Sequence, residues 1–283
     1  MTAPPRDDSV LPVTRLAHGI LAIVVAPFFY GLTFHPGNTV ENFAWPLVPT
    51  MSAMFFGSLY FAVIYSFLRV AFAKRWHEVA LVLWATLPVL AMLGIVTIRH
   101  WEKFAHGTLR FSIWITAYVV FPTILLLMIL ANRRRDPRTP NPGDVEIPAT
   151  VRRTSLLLGI VVGLVGVALI LFPKPMAAAW PWPIKELSSQ ALGCLFLAPA
   201  VAQFIAAKET RWSALRISTQ AAILWFSLLL VAVVRAFDEF DRSRPLTWVF
   251  LVFLAMEWLL ATWSYVALEG QRRRNEAALG RAS

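Results

Sequence analysis

Cysteine is almost missing. Cys194 is the single one in 283 residues, which excludes a disulfide within the chain and any cysteine-built zinc or iron–sulfur cluster. Charge is also scarce: Asp, Glu, Lys and Arg make up 15% of the chain, and the 26 bases outnumber the 16 acids. No Walker, nucleophile-elbow, Rossmann or HExxH spacing occurs, so chemistry that carries a short diagnostic motif is not written here. The histidines are His18, His35, His77, His100 and His106. They form no paired intramembrane set for haem. His35, His100 and His106 fall near Glu41 and Glu102, yet their spacing does not demand a metal, so neither a metal nor a cofactor is expected.

A net charge of +10 would suit nucleic acid, but the bases sit in short clusters between apolar runs and lack interleaved aromatic residues. That distribution argues for membrane topology and against a nucleic-acid partner. What the chain has in abundance is apolar surface, at 58% hydrophobic residues and a mean hydropathy of +0.63. No water-soluble core absorbs that much. Eight runs approach the length that crosses a hydrocarbon core: 13–33, 49–72, 79–98, 111–131, 155–172, 187–207, 214–234 and 245–268. In lipid such spans must be helical, so the fold class is an all-α integral membrane protein. The N-terminal residues, with Pro4, Pro5, Arg6, Asp7 and Asp8 ahead of a span-length run, read as a retained first span rather than a cleaved signal.

Much of the chain recurs. A shift of 136 lays Ser52 on Ser188, Gly57 on Gly193, Arg75-Trp76 on Arg211-Trp212, and Arg99 on Arg235; a shift of 134 then lays Arg110 on Arg244 and Trp114 on Trp248. The expected organisation is two tandem parallel repeats of four helices, residues 1–132 and 154–283, joined by an exposed cytoplasmic linker, 133–153, rich in Arg and Pro. With the N-terminus inside, 18 of the 26 Lys and Arg fall on the inner side, which places both termini in the cytoplasm. Arg75-Trp76 and Arg211-Trp212 read as inner-interface anchors. On the other side, Trp45, Pro46 and Pro49 in the first half, and Trp180 to Pro183 in the second, read either as an aromatic belt at two helix starts or as Trp-rich lips of an entrance.

Glu257 is the leading candidate for function. It lies near the middle of the last span, where an ionisable group normally faces protein or water, and helical spacing puts Ala261 and Ser264 on its face. The equivalent position in the first half is Thr123, and Thr116 and Ser112 extend that polar stripe. Glu257 reads either as a protonated carboxyl joining helices, as a substrate or proton site, or as a catalytic acid or base. Arg99 and Arg235 end equivalent spans with Glu102 and Asp238 three residues on; they either neutralise those acids locally and reach for headgroups, or bind an anion at an outer mouth. Asp238, Glu239 and Asp241 lack the second cluster of a prenyltransferase metal site and read as a solvated acidic loop.

The strings NFAWPLVP, SAMFFGSLYFA and RHWEKF, within residues 42–104, resemble an uncharacterised group of bacterial polytopic membrane proteins. The resemblance implies a bacterial inner-membrane location and no activity. The leading expectation is a protein that binds or transports a small molecule or lipid between its halves, among membrane lipids as surroundings. Glu257, Thr116, Thr123 and Ser264 would line the site, with Arg99 and Arg235 at its mouth. The alternatives are a membrane-embedded enzyme acting on a lipid or isoprenoid, and an assembly or scaffold subunit.

Overall fold

The computed structural model describes residues 7–282, and among them eight helices are long and apolar enough to cross a membrane. They are α1 (Pro12–Phe34), α2 (Thr50–Phe72), α3 (Ala80–Arg99), α4 (Leu109–Asn132), α5 (Ala149–Leu171), α6 (Glu186–Ala206), α7 (Trp212–Arg235) and α8 (Pro245–Ala282). The chain is an all-α polytopic membrane protein. Arg6, Pro4 and Pro5 lie outside the described residues. The helix limits follow the apolar runs closely except in α5 and α8. In α4, Thr116–Val120 is a π turn. The start of α5 follows Pro148 and precedes the expected limit, and α8 continues past Leu268, where Arg272 pairs with Glu269 at 2.7 Å and with Glu276.

The segment expected to be an exposed linker is partly built into the protein. Val145 and Ile147 are buried while Glu146 alternates with them, and the Ile147 N–H donates to the Thr210 carbonyl at 2.8 Å. Trp212 N–H in turn donates to the Val145 carbonyl at 3.0 Å. An apolar pair spaced by two, with backbone partners on both sides, packs as a short extended strip against α7. An equivalent strip joins the residues before α1 to those before α3: Trp76 N–H donates to the Asp8 carbonyl at 2.7 Å. Trp76 and Trp212 are both buried rather than placed at the interface.

Packing interlocks the two halves. α1 packs on α2 and α5 on α6, whereas the second and third helices of each half cross over: α2 packs on α7, and α3 on α6. α4 rests on α3, and α8 on α7. Glycines set the tight crossings. A Cβ on Gly193 would stand 2.7 Å from the Gly166 carbonyl oxygen, and one on Gly57 would stand 2.5 Å from Thr33 Oγ1, so α5–α6 and α1–α2 approach as closely as small residues allow.

At the end away from the termini the rings of Phe43, Trp45, Phe104 and Trp114 pack together, as do Trp180, Trp182, Phe240 and Phe250. Trp45, Trp180 and Trp182 are at most 2% exposed. They are core, neither a lipid-facing belt nor lips of an entrance. The physical reason is that the connections fold back over the helix ends: Asp241 N–H bonds the Pro181 carbonyl at 2.8 Å and Ala105 N–H the Ala44 carbonyl at 2.9 Å. The acidic loop is likewise structural. Glu239 accepts from Thr50 and Met51 at the start of α2, and Asp241 pairs with Arg244 at 2.8 Å.

Candidate functional site

α5 leans on α6 and α8 on α7, and between these two pairs lies a cavity of about 440 Å³, closed on the far side by parts of α2 and α3. Its lining on α8 runs from Phe253 to Leu268, roughly 22 Å of helix at about 1.5 Å per residue. Small side chains hold it open: Ala202 and Ala206 on α6, Ala221 and Ala222 on α7, and Ala261 on α8. In the first half, the corresponding space between α1 and α3 is occupied by α4, which buries Leu125 and Ile129 and whose Asn132 bonds Thr14 Oγ1 at 3.1 Å and receives Leu11 N–H at 3.1 Å.

Glu257 lies on this cavity and is 6% exposed. It is the one ionisable side chain among the described residues that line it, and its Oε1 has no hydrogen-bond partner. Trp225, also 6% exposed, lines the same cavity, and its indole N–H is likewise unpartnered. The register of α8 on α7 is set by Trp258 Nε1, which donates to Ser227 Oγ at 2.9 Å. α7 and α8 run antiparallel, since Gln220 Nε2 also donates to Tyr265 Oη at 2.9 Å, so Glu257 and Trp225 fall on opposite sides of the Trp258–Ser227 level, about 4.5 Å apart along the helix pair at about 1.5 Å per residue. Buried polar atoms normally find partners; of nine buried side-chain atoms without one among the described residues, Glu257 Oε1 and Trp225 Nε1 are the two whose residues line this cavity, which makes it the candidate site.

Ser264 and Ala261 join Glu257 on the lining, as their helical spacing requires. Thr116 and Thr123 do not: both are exposed, and Thr116 Oγ1 donates back to the Ser112 carbonyl at 2.8 Å. The inward stripe of α4 is Trp114, Tyr118, Leu125 and Ile129, two positions away from the threonines. The π turn adds a residue to one turn and so rotates the remainder of α4 by about 100° relative to an uninterrupted helix. It is set where the Tyr118 carbonyl presses on Gly94 of α3. Arg99 and Arg235 are also apart from the cavity, at the opposite end of their helices. Arg235 donates to the Thr33 carbonyl at 2.7 Å, and it is Lys103, not Arg99, that stands 3.8 Å from Glu102. His35, His100 and His106 diverge to Tyr30, Gln190 and the Trp101 carbonyl.

A second polar cluster was not visible in the sequence. Asp8 Oδ2 lies 2.5 Å from His77 Nδ1, and His77 Nε2 lies 3.0 Å from Ser213 Oγ. The connectivity is that of a hydrolytic triad, but the chemistry is blocked. Asp144 takes the Ser213 hydroxyl proton at 2.5 Å and the Ser213 N–H at 3.0 Å, so a carboxylate fills the place where an oxyanion would form. His77 and Ser213 are buried. Asp144 accepts from the Ser213 N–H in the first turn of α7, Asp8 accepts from the His77 N–H in the turn ahead of α3, and the His77–Ser213 contact ties the two together. Beside it Arg211 holds Asp136 and Glu209, each at 2.8 Å. Burial alone would raise both carboxyls, but the hydrogen bonds and charge of Arg211 outweigh it and hold them below the ordinary carboxylate range. The only sequence signal for this cluster was the recurrence of Asp8, Arg75 and Trp76 as Asp144, Arg211 and Trp212. Compared with known proteins, the chain matches no protein-family model, no curated protein and no solved structure.

Proposed function

We propose that the protein binds, and as a transporter moves, a small lipophilic molecule in the cavity between α5–α6 and α7–α8. The observation that carries this is the pair of buried, unpartnered polar atoms, Glu257 Oε1 and Trp225 Nε1, on an otherwise largely apolar cavity of about 440 Å³. Pockets that take small molecules have this character: roughly 300–1,000 Å³, mostly apolar, with a few polar atoms that fix orientation. The duplication read from the sequence belongs to the same proposal. The crossed packing of α2 on α7 and α3 on α6, and the way Asp8 and Asp144 accept from the N–H groups of His77 and Ser213, each pair 136 residues apart, support two parallel repeats about an axis along the membrane normal. The excess of Lys and Arg on the side of the linker and both ends supports cytoplasmic termini, and the resemblance of residues 42–104 to bacterial polytopic proteins supports an inner-membrane location.

The test is native mass spectrometry of protein purified in mild detergent, comparing the wild type with Glu257→Leu and with Ala222→Phe, which fills the cavity. A discrete compound retained by the wild type and absent from both folded variants is the expected result. If all three carry the same bulk lipid, the cavity is not a binding site.

A further inference from the structure

We infer that the ligand is a neutral, single-chain lipid alcohol: a long apolar tail carrying a hydroxyl head. This rests on the reading of the cavity as a binding site and goes on to name its chemistry. The head is decided by three properties of the lining. First, no Lys, Arg or His is among the described residues that form it. A phosphate or carboxylate head would therefore enter without a counter-charge, beside the Glu257 carboxyl, and lose its hydration uncompensated.

Second, an ammonium head would match Glu257 but has only protons to give. It would leave the Trp225 N–H as unpartnered as before, with two donors facing one another across the site. Third, a hydroxyl both donates and accepts. It accepts from Trp225 Nε1 and donates to Glu257 Oε1, and it serves equally when the carboxyl holds a proton, because it then accepts from that group. Of the common lipid heads, it is the smallest that suits both open atoms, whose residues stand about 4.5 Å apart along the antiparallel helix pair, a gap one hydroxyl bridges.

The tail is decided by length and volume. From Glu257 the lining continues on α8 through Leu260, Ala261 and Ser264 to Leu268, with Leu215 and Ala206 across from them. This track of about 16 Å at 1.5 Å per residue is uncharged and mainly apolar, with Ser218, Thr219, Gln203 and Ser264 among its lining, and it suits an extended hydrocarbon. A volume of about 440 Å³ lies in the lower half of the range of roughly 300–1,000 Å³ that holds drug-sized molecules, which fits one chain rather than two.

Four probes with one hexadecyl tail and different heads test the assignment: the alcohol, the amine, the carboxylic acid and the phosphate. Each competes with radiolabelled hexadecanol for the purified full-length protein in detergent. The alcohol is expected to bind at least about tenfold tighter than the other three. Trp225→Phe and Glu257→Leu should each weaken it about five- to tenfold, the worth of one hydrogen bond, while Glu257→Gln, which keeps a donor and an acceptor, stays within about threefold. Tightest binding of the amine, abolished in Glu257→Gln, would overturn the inference in favour of a lipophilic cation, and tightest binding of the acid or phosphate would overturn it outright. If no probe binds while a native compound still copurifies with the wild type alone, the alcohol is wrong and the binding site stands. If nothing copurifies either, both fall.

Discussion

Glu239 should be worth more than its place in an acidic loop suggests. α2 begins after Pro49, a residue with no side-chain acceptor for the first helical N–H groups. Glu239, brought over from the other half, fills that role: Oε1 accepts from Thr50 N at 3.1 Å and from Thr50 Oγ1 at 2.5 Å, and Oε2 accepts from Met51 N at 2.7 Å. Loss of a helix cap costs about 0.5–2 kcal/mol, and loss of a carboxylate from the positive end of the helix about 0.3–1 kcal/mol more. The carboxylate is only partly buried, so water recovers some of this, and Glu239→Ala should cost about 1–3 kcal/mol. At about 2–4 °C per kcal/mol for a protein of this size class, the unfolding midpoint in detergent should fall by roughly 2–12 °C. Glu239→Gln keeps an oxygen for Thr50 but presents an amide to Met51, and should lose about half as much. Asp238→Ala, one residue earlier and exposed, is the control with no expected change. The assay is a thermal melt combined with hydrogen exchange of the peptide spanning Thr50 and Met51. A midpoint within about 1 °C of wild type in both Glu239 variants, with unchanged exchange of that peptide, would refute the cap.

Gly94→Ala should abolish folding or cost at least about 3 kcal/mol, because its Cβ would meet the Tyr118 carbonyl oxygen, a backbone atom that cannot rotate away. Gly19→Ala, whose Cβ would find Ala71 Cβ at 3.7 Å, should be tolerated; yield of folded protein on size exclusion separates the two. The Arg211 cluster predicts a pH dependence. Asp136 and Glu209 have carboxyls lowered from 3.8 and 4.5, so their contribution is present above those values and lost as pH falls through the lower native ones. The thermal midpoint of the wild type should therefore drop more steeply below about pH 4 than that of Arg211→Met. Parallel declines would show that the cluster contributes nothing.

How much could be read in advance depends on the physical signal each feature leaves. Span number was legible because apolar length is dictated by the bilayer, and the limits of α1, α2, α3, α6 and α7 differ from the expected ones by at most two residues. The face of Glu257 was legible because α8 is regular from Phe253 through Ser264, so spacing alone carried Ala261 and Ser264 to the cavity. The face of Thr123 was not, because a π turn has no strong residue preference and rotates everything beyond it; Thr116, where that turn begins, is exposed although the analogy with Glu257 points it inward. Trp45, Trp180 and Trp182 misled for a different reason: composition at a membrane edge does not reveal that a connection folds over the rings. The cluster of Asp8, His77, Ser213 and Asp144 joins residues far apart in the chain, and no local pattern announces such a contact.

The site sits where the two halves differ. On the proposed duplication, what they share is scaffold: Gly57 and Gly193 at the close crossings, Asp8 and Asp144 on the N–H groups of His77 and Ser213, Arg75-Trp76 and Arg211-Trp212 in the strips. What they do not share is the fourth helix. α4 closes against its neighbours through Leu125, Ile129 and Asn132, while α8 stands off and exposes Glu257 to the space it leaves. Packing energetics then predict opposite outcomes for one kind of substitution in two places. Ala261→Leu adds methylenes to an open cavity, where burying them is favourable by about 0.8 kcal/mol each, and should raise or preserve the thermal midpoint while abolishing ligand retention. Ala191→Leu adds the same atoms where α6 is fully enclosed, and overpacking should cost about 1–3 kcal/mol. If both substitutions destabilise alike, the space beside Glu257 is not open to a ligand, and its carboxyl serves only to join helices.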